Sequence, residues 1–235
     1  MKIDKRKKYN YNENYFDKID SKDKAYWLGF IVADGYVMHN SIKDNNSTSN
    51  GLRIRLMESD KTHLEKLNEN LNYNKNIRIV KNYGIYKNQQ DLAEFSLHSI
   101  KMVNDLEKLG LVSGDKSCHE QVPNIERKWM KYFILGLFDG DGHISIGKKV
   151  YEIGFLSSKE MIEYIKTFLE EELKITIPYK IEVGKYKKSP NLSRLRIFRK
   201  DLIIPILDYL YDSPIYLERK FLKYKELTNC RLNQS

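Results

Sequence analysis

The sequence predicts an α+β protein made of two related halves. Two apolar segments, "WLGFIVADG" at 27–35 and "ILGLFDGDG" at 134–142, share a glycine, a small residue, an aspartate and a final glycine at matching positions. Each is followed by the same order of patterns, with amphipathic helices alternating with pairs of strands. We therefore expect two αββαββα repeats related by a pseudo-two-fold axis, with the two apolar helices packed at the centre.

The first half begins with an apolar helix over 21–34. Ser21 is its predicted N-terminal cap, and Gly35 follows at the position where helices commonly end. The spacing of apolar residues then predicts strands over 36–42 and 51–57 joined by the loop 43–50, a helix over 60–71, strands over 77–83 and 92–99, and a closing helix over 99–111.

The second half follows the same order. Its apolar helix starts at 127 and ends at Gly142, and the closing helix should be bent or broken near Pro205. The elements between and after it are strands over 143–148 and 151–157, a helix over 158–175, strands over 179–186 and 192–200, and a helix over 201–212. The chain divides into a basic N-terminal extension, a first repeat, a linker, a second repeat and a C-terminal tail, over 1–20, 21–112, 113–128, 129–227 and 228–235.

Composition predicts a globular protein that attracts polyanions. The 235 residues include 41 Lys and Arg against 32 Asp and Glu, a net charge of +9, and nucleic acid is the commonest polyanion in cells. No apolar run could cross a bilayer, and the basic start lacks the apolar core of a secretion signal. We expect no membrane partner, and a location in the cytoplasm or nucleoid of a bacterial or phage-infected cell, or in an organelle. Cys118 and Cys230 share no ligand spacing with histidines, which argues against disulfides and structural zinc.

Small residues recur on one face of each apolar helix. Gly29 and Ala33 are four residues apart, and Gly136 and Gly140 repeat that spacing. A face with almost no side chain allows another backbone to come close. Because two copies match, we expect these faces to pack against each other, with the helices parallel.

Asp34 and Asp141 stand just before the terminating glycines, 107 positions apart (141 − 34). The helix dipole and free carbonyls make an acid unfavourable at such a place. Parallel packing would bring both carboxylates to one spot, where like charges need a neutralising partner. Carboxylates with the carbonyls of Ala33 and Gly140 are ligands suited to Mg²⁺, and Mn²⁺ or Ca²⁺ can replace it for binding.

The two segments resemble the LAGLIDADG motif, and the resemblance extends over nearly the whole chain through the duplicated element order. The first copy departs from the motif at Trp27, Leu28 and Val32. The resemblance implies a single-chain homing endonuclease, monomeric, of the kind encoded in introns, inteins or phage genomes. It implies curved antiparallel sheets that form a saddle over double-stranded DNA. It also implies Mg²⁺-dependent cleavage of both strands across the minor groove, leaving four-base 3′ overhangs. Asp34 and Asp141 match the metal-binding acids of the motif.

The resemblance also implies further site residues. Members of the family often have a basic residue near each scissile phosphate after the last helix of a half, and Lys116 and Lys220 match that place. A polar residue at the end of each second strand commonly belongs to the site, which points to Glu58 and Ser157.

Two strands carry alternating arginines. Arg53 and Arg55 alternate with apolar residues, as do Arg194 and Arg196. Alternation places them on the open sheet face, where guanidinium groups can bind guanine edges or phosphates. Lysines in or near other strands are expected to bind phosphates: Lys81, Lys180, Lys185, Lys187 and Lys188.

Two residues of the second motif region have no matching chemistry in the first. Asp139 has Val32 as its counterpart, so we expect a structural role for it. His143 has Tyr36 as its counterpart, which cannot transfer protons at neutral pH; we expect His143 to serve strand packing or DNA contact.

Two alternatives share this scaffold. One is an RNA maturase that assists the splicing of its own intron, and the other is a catalytically inactive, sequence-specific DNA-binding protein. Intact acids in both motifs favour cleavage.

Overall fold

The computed structural model describes residues 9–42, 48–81, 90–111, 120–147, 150–178, 182–183 and 192–232. The predicted order of elements is confirmed in both halves. The first half consists of α1 (Lys22–Asp34), β1 (Gly35–Ile42), β2 (Thr48–Met57), a 3₁₀ turn (Glu58–Asp60), α2 (Lys61–Asn70), β3 (Arg78–Val80), β4 (Leu92–Leu97) and α3 (Ile100–Lys108). The second half consists of α4 (Arg127–Asp141), β5 (His143–Ile146), β6 (Tyr151–Ser158), α5 (Lys159–Leu173), β7 (Glu182–Val183), β8 (Leu192–Ile197), α6 (Lys200–Tyr211) and α7 (Glu218–Leu232).

Each half contains one antiparallel sheet of four strands. The strand orders are β1-β2-β4-β3 and β5-β6-β8-β7, so the two sheets have the same topology. Side chains alternate between a buried and an open face: Leu52 and Ile54 are buried, while Arg53 and Arg55, which alternate with them, are not. Helices of each half, such as α3 and α5, pack on the sheet and leave the other face open.

The two halves meet through α1 and α4, whose backbones are in direct contact. A Cβ added at Gly29 would lie 1.9 Å from the carbonyl oxygen of Phe133, and one added at Gly136 would lie 2.0 Å from that of Tyr26. Ala33 meets Gly140 further along, so the helices run in the same direction. The predicted parallel packing of the small faces is confirmed.

Several features differ from the expectations. Helix α7 was not predicted, because the inner face of its first turns carries a lysine, Lys220, which interrupts the apolar spacing. This helix also runs through the first part of the expected tail. Residues 9–20 are not a mere extension, since Tyr15, Phe16 and Ile19 are buried in the core. Helix α6 is not broken but continues through Pro205. In the part of the chain described, no helix has the length and apolar character to span a bilayer.

Replacing Gly136 with alanine should destabilise the fold strongly. The added Cβ meets backbone atoms, which cannot rotate away as a side chain can, so the loss should reach or exceed about 3 kcal/mol, the upper end for overpacked cores. Urea unfolding measures it. Lys128→Ala, on the exposed face of the same helix, is the control and should change the unfolding free energy by less than about 0.5 kcal/mol.

Candidate functional site

The site lies where α1 and α4 end side by side. Asp34 is the last residue of α1 and Asp141 the last of α4, and each leads directly into the first strand of its sheet. A Cβ added at Gly140 would lie 3.4 Å from Oδ2 of Asp34, which places that carboxylate against the last turn of α4. Asp34 is half-buried and Asp141 is exposed, so a ligand from solvent can reach the pair.

Lys220 lies beneath this pair, in the first turn of α7. This residue is 3% exposed, and its ammonium donates to the carbonyls of Phe138, Gly140 and Gly142 at 2.6, 3.2 and 2.5 Å. It therefore caps the C-terminus of α4, where a cation complements the dipole.

The electrostatic surroundings of Lys220 include both motif acids. Burial lowers the pKa of Lys220 to about 8. The negative charges of Asp139, Asp34 and Asp141 all act against that shift. Both motif acids therefore lie within electrostatic reach of one ammonium group, although they belong to different halves of the chain.

Asp139 is fully buried and organises the interior behind the site. Its Oδ2 accepts from the Tyr26 hydroxyl at 2.8 Å and from the backbone N–H of Leu217 at 2.7 Å, and its Oδ1 accepts from the Tyr211 hydroxyl at 2.9 Å. Burial raises the pKa of this carboxyl to about 6, with the bond from Leu217 acting in the other direction. Tyr26 also lies 3.0 Å from Nε2 of His63. The expected structural role of Asp139 is confirmed.

The open face of the first sheet carries a cluster of cations around one carboxylate. Glu94 accepts from Nε of Arg55 at 2.7 Å and from Arg78 at 2.7 Å. Burial raises the pKa of Glu94, but these two arginines outweigh it and lower the pKa overall. The guanidinium of Arg53 lies 5.0 Å from the ring centre of Tyr36. A cleft of about 340 Å³ opens on this face, lined in part by Arg53, Arg55, Lys75 and Arg78.

The second sheet has a similar arrangement with different residues. Arg196 donates to Glu152 at 2.5 and 2.8 Å, and Nε2 of His143 lies 2.9 Å from the same carboxylate. The hydrogen bond from Arg196 lowers the pKa of Glu152 to about 2. The His143 ring lies over Gly154, where a Cβ would come within 2.1 Å of it, so His143 does serve strand packing. Arg194 also lies on this strand, between two buried residues.

The architecture is similar to that of known proteins. The family model described as a LAGLIDADG-like domain matches residues 128–210. The meganuclease I-SmaMI bound to uncleaveable DNA is similar over 91% of this chain and 92% of its own, with a TM-score of 0.58 and 12% identity. The LAGLIDADG homing endonuclease I-LtrWI bound to target DNA is similar over 95% of this chain and 92% of its own, with a TM-score of 0.54 and 13% identity.

The chain has the LAGLIDADG fold. The predicted resemblance to this family and the predicted fold class are thereby confirmed. Variants of the homing endonuclease I-DmoI are a further similar structure, with a TM-score of 0.52, 17% identity and coverage of 81% and 96%. The curated DNA-directed RNA polymerase subunit Rpo1C of Methanocaldococcus jannaschii is 25% identical over 214 residues. That match covers 81% of this chain, which spans only 22% of the polymerase subunit.

The donor atoms at the end of the LAGLIDADG helices suit a hard cation. Among the described residues, no three side chains of His, Cys, Asp or Glu converge on one point. Mg²⁺ needs no such cage, since it commonly binds one or two carboxylates and completes its shell with water and phosphate oxygens. Asp34 and Asp141 would supply the two carboxylates. The Gly140 carbonyl also accepts from Lys220 at 3.2 Å, and a carbonyl oxygen has a second lone pair.

Other expected site residues of this LAGLIDADG-fold protein lie apart from that pair. Ser157 is buried, and its hydroxyl lies 3.4 Å from a carboxylate oxygen of Glu120. Glu58 is exposed in the 3₁₀ turn after β2. If Tyr36 and His143 are aligned, the strand registers make Leu56 the counterpart of Ser157. Glu58 and Ser157 are therefore not equivalent positions.

The expected lysines divide into two groups. Lys81 is exposed and pairs with Asp91. The other lysines predicted at the site or the DNA interface lie outside the described residues: Lys116, Lys180, Lys185, Lys187 and Lys188. The proximity of Lys220 to a scissile phosphate stays a prediction. The sequence did not single out Tyr26, Tyr211 or His63, because no short spacing links them to Asp139.

The buried His63 should make stability depend on pH. Burial lowers its pKa from 6.5 to about 3, so between these values the unfolded chain binds a proton that the folded protein does not. The free energy of unfolding should then fall as pH drops through this window, by up to about 1.4 kcal/mol per pH unit from this residue. His63→Phe loses the bond to Tyr26 and starts less stable at pH 7.

Urea unfolding of both proteins from pH 7 to pH 4 tests this. The difference in the free energy of unfolding between wild type and His63→Phe should become smaller as the pH falls, because only the wild type loses stability through protonation of His63. Exposed His98→Phe is the control and should retain the wild-type dependence on pH. A difference in unfolding free energy between wild type and His63→Phe that does not change with pH would contradict the prediction.

Proposed function

We propose that this protein is a homing-type endonuclease that hydrolyses both strands of a long, specific DNA site as a monomer, with Mg²⁺ as cofactor. One observation carries the proposal: the parallel helices bring Asp34 and Asp141, from two halves of the chain, to one solvent-accessible place. The solved relatives I-SmaMI and I-LtrWI, which share the fold, are bound to DNA. The match to part of a polymerase subunit brings no polymerase function with it.

The carboxylates of Asp34 and Asp141 would bind the cation, together with the carbonyls of Ala33 and Gly140. An ion held there would supply the chemistry of an activated water and of charge stabilisation at the leaving oxygen of a scissile phosphate. Without a cation, two carboxylates at two helix C-termini repel each other, and their arrangement would serve no purpose in stability. From the fold we also propose cleavage across the minor groove with four-base 3′ overhangs.

Lys220 would act on the second half of this site. Its ammonium orients the carbonyls at the end of α4 and places a positive charge next to Asp141. A phosphate bound there brings further negative charge, which a fixed cation stabilises. Lys116 holds the corresponding place in the sequence of the first half.

The open sheet faces would bind the DNA. Glu94 and Glu152 hold Arg55, Arg78 and Arg196 in fixed orientations on the two faces. A guanidinium fork held in this way is pre-organised for a guanine edge or a phosphate, which lowers the entropy lost on binding.

Neutralising either motif acid should abolish cleavage while DNA binding persists. Asp34→Asn or Asp141→Asn removes a charged ligand, and the rate of double-strand cleavage should fall at least about 100-fold, since several kcal/mol of stabilisation are lost. The assay uses a plasmid library of candidate target sites with Mg²⁺. Asp23→Asn, an acid in the first turn of α1, should cut normally. Full cutting by either motif variant would refute the metal-site assignment.

Removing an arginine from the open face should weaken DNA binding. Arg53→Ala should lose about 1–3 kcal/mol of binding free energy if the residue reads a base, and flatten the salt dependence if it binds a phosphate. Fluorescence anisotropy with labelled target in Ca²⁺ measures both. Arg127→Ala is the matched control, because Arg127 pairs with Glu171 and Glu172 of α5. Equal affinities for the two variants would argue against this face as the DNA interface.

A further inference from the structure

The two halves of the site differ at one buried position. Asp139 in α4 corresponds to Val32 in α1, with the same offset as the motif acids. Both side chains are buried, at 0% and 5% exposure. The side chain of valine can accept no hydrogen bond, so donors equivalent to the three that meet the Asp139 carboxylate can have no such side-chain acceptor in the first half.

Asp139 is connected to Lys220 through the start of α7. Its Oδ2 accepts the backbone N–H of Leu217 at 2.7 Å. The carbonyl of Leu217 in turn accepts the N–H groups of Lys220 and Phe221 at 3.0 and 3.1 Å, so Leu217 is the residue from which the helix begins. Fixing Leu217 therefore fixes the first turn of α7, and with it the backbone of Lys220.

The Tyr211 bond strengthens the same connection from the other side. Tyr211 is the last residue of α6, and its hydroxyl donates to Oδ1 of Asp139 at 2.9 Å. The carboxylate thus holds both ends of the segment between α6 and α7. Lys220 then donates to the carbonyls of Phe138 and Gly140, on either side of Asp139, and to that of Gly142, which follows Asp141. The result is a closed loop of contacts that involves only the second half and Tyr26.

We propose that Asp139 is a positioning residue for one of the two DNA strands: by anchoring Leu217 and Tyr211 it holds Lys220 at the end of α4, so that hydrolysis beside Asp141 depends on it and hydrolysis beside Asp34 does not. This inference rests on the proposed nuclease function. It predicts that disturbing Asp139 turns an enzyme that cuts both strands into one that mainly nicks.

Two substitutions separate the hydrogen bonds of Asp139 from its charge. Asp139→Val gives the second half the residue of the first and leaves the Leu217 N–H without an acceptor. Asp139→Asn can point its carbonyl oxygen at Leu217 and Tyr26 and donate from its amide to the Tyr211 hydroxyl, which can rotate to accept. The Asp139→Asn variant should therefore preserve the position of Lys220, and the Asp139→Val variant should not. Tyr26→Phe is the matched control, because it removes one bond to the same carboxylate and leaves the link to α7 intact.

The first experiment follows each strand of a target duplex that carries a different dye at each 5′ end, after a target has been selected from the plasmid library. Lys220→Met identifies the strand that Lys220 serves. For Asp139→Val we expect cleavage of that strand to slow by about 100-fold, as for a misplaced catalytic group, with the other strand little changed. Asp139→Asn and Tyr26→Phe should keep the wild-type ratio of strand rates. The proposal is overturned if the ratio of the two strand-cleavage rates in Asp139→Val stays within about tenfold of the wild-type ratio, whether cleavage slows on both strands or on neither.

The second experiment needs neither metal nor DNA. In hydrogen–deuterium exchange, amides of residues 212–224 should exchange at least tenfold faster in Asp139→Val than in wild type, while those of α3 should be unchanged. Unchanged exchange in 212–224 overturns the positioning role. If Asp139→Val melts below the assay temperature, Asp139→Ser takes its place in both experiments, because its smaller side chain admits water to the orphaned donors. If wild type cuts no target, the nuclease proposal fails, and the exchange result still decides whether Asp139 anchors α7.

Discussion

The contact between the backbones of α1 and α4 is the constraint on which the rest of the structure depends. Gly29 and Gly136 each leave room for a carbonyl of the opposite helix that any Cβ would displace. The contact is reciprocal, since each glycine meets the residue equivalent to the one that its counterpart meets. This symmetry aligns the helix ends, so the position of the two terminal acids is a consequence of helix packing rather than of the loops around them.

The negative charge of the two motif acids is balanced by charged residues at successive depths in the fold. Two carboxylates and two helix C-termini concentrate negative charge at one place. Lys220 offsets part of it from below, at the cost of burying an ammonium whose pKa falls to about 8. Asp139 lies one layer deeper and compensates that ammonium, its own charge satisfied by three donors. The proposed cation and phosphate would bind on the solvent-accessible side of Asp34 and Asp141.

Duplication preserved the backbone of the two halves more closely than their chemistry. The sheets share one strand order, yet the central cross-strand partners differ. Glu94 lies opposite Arg55 and Arg78 in the first sheet, whereas the corresponding strand of the second sheet has Arg194 opposite Leu156. The two open faces therefore present different charge patterns.

The sequence by itself determined the duplicated fold, the close helix pair and the two acids, because these follow from local spacing and from a pattern that occurs twice. It also determined the alternation that puts arginines on the open faces. Only the tertiary structure decided what those groups bind. The partners of Asp139 lie on α1, on α6 and just before α7, far apart in the chain, and no periodic pattern in the sequence predicts these contacts. Helix α7 was not predicted because a lysine lies on its inner face, where its ammonium donates to carbonyls at the end of α4, far away in the chain.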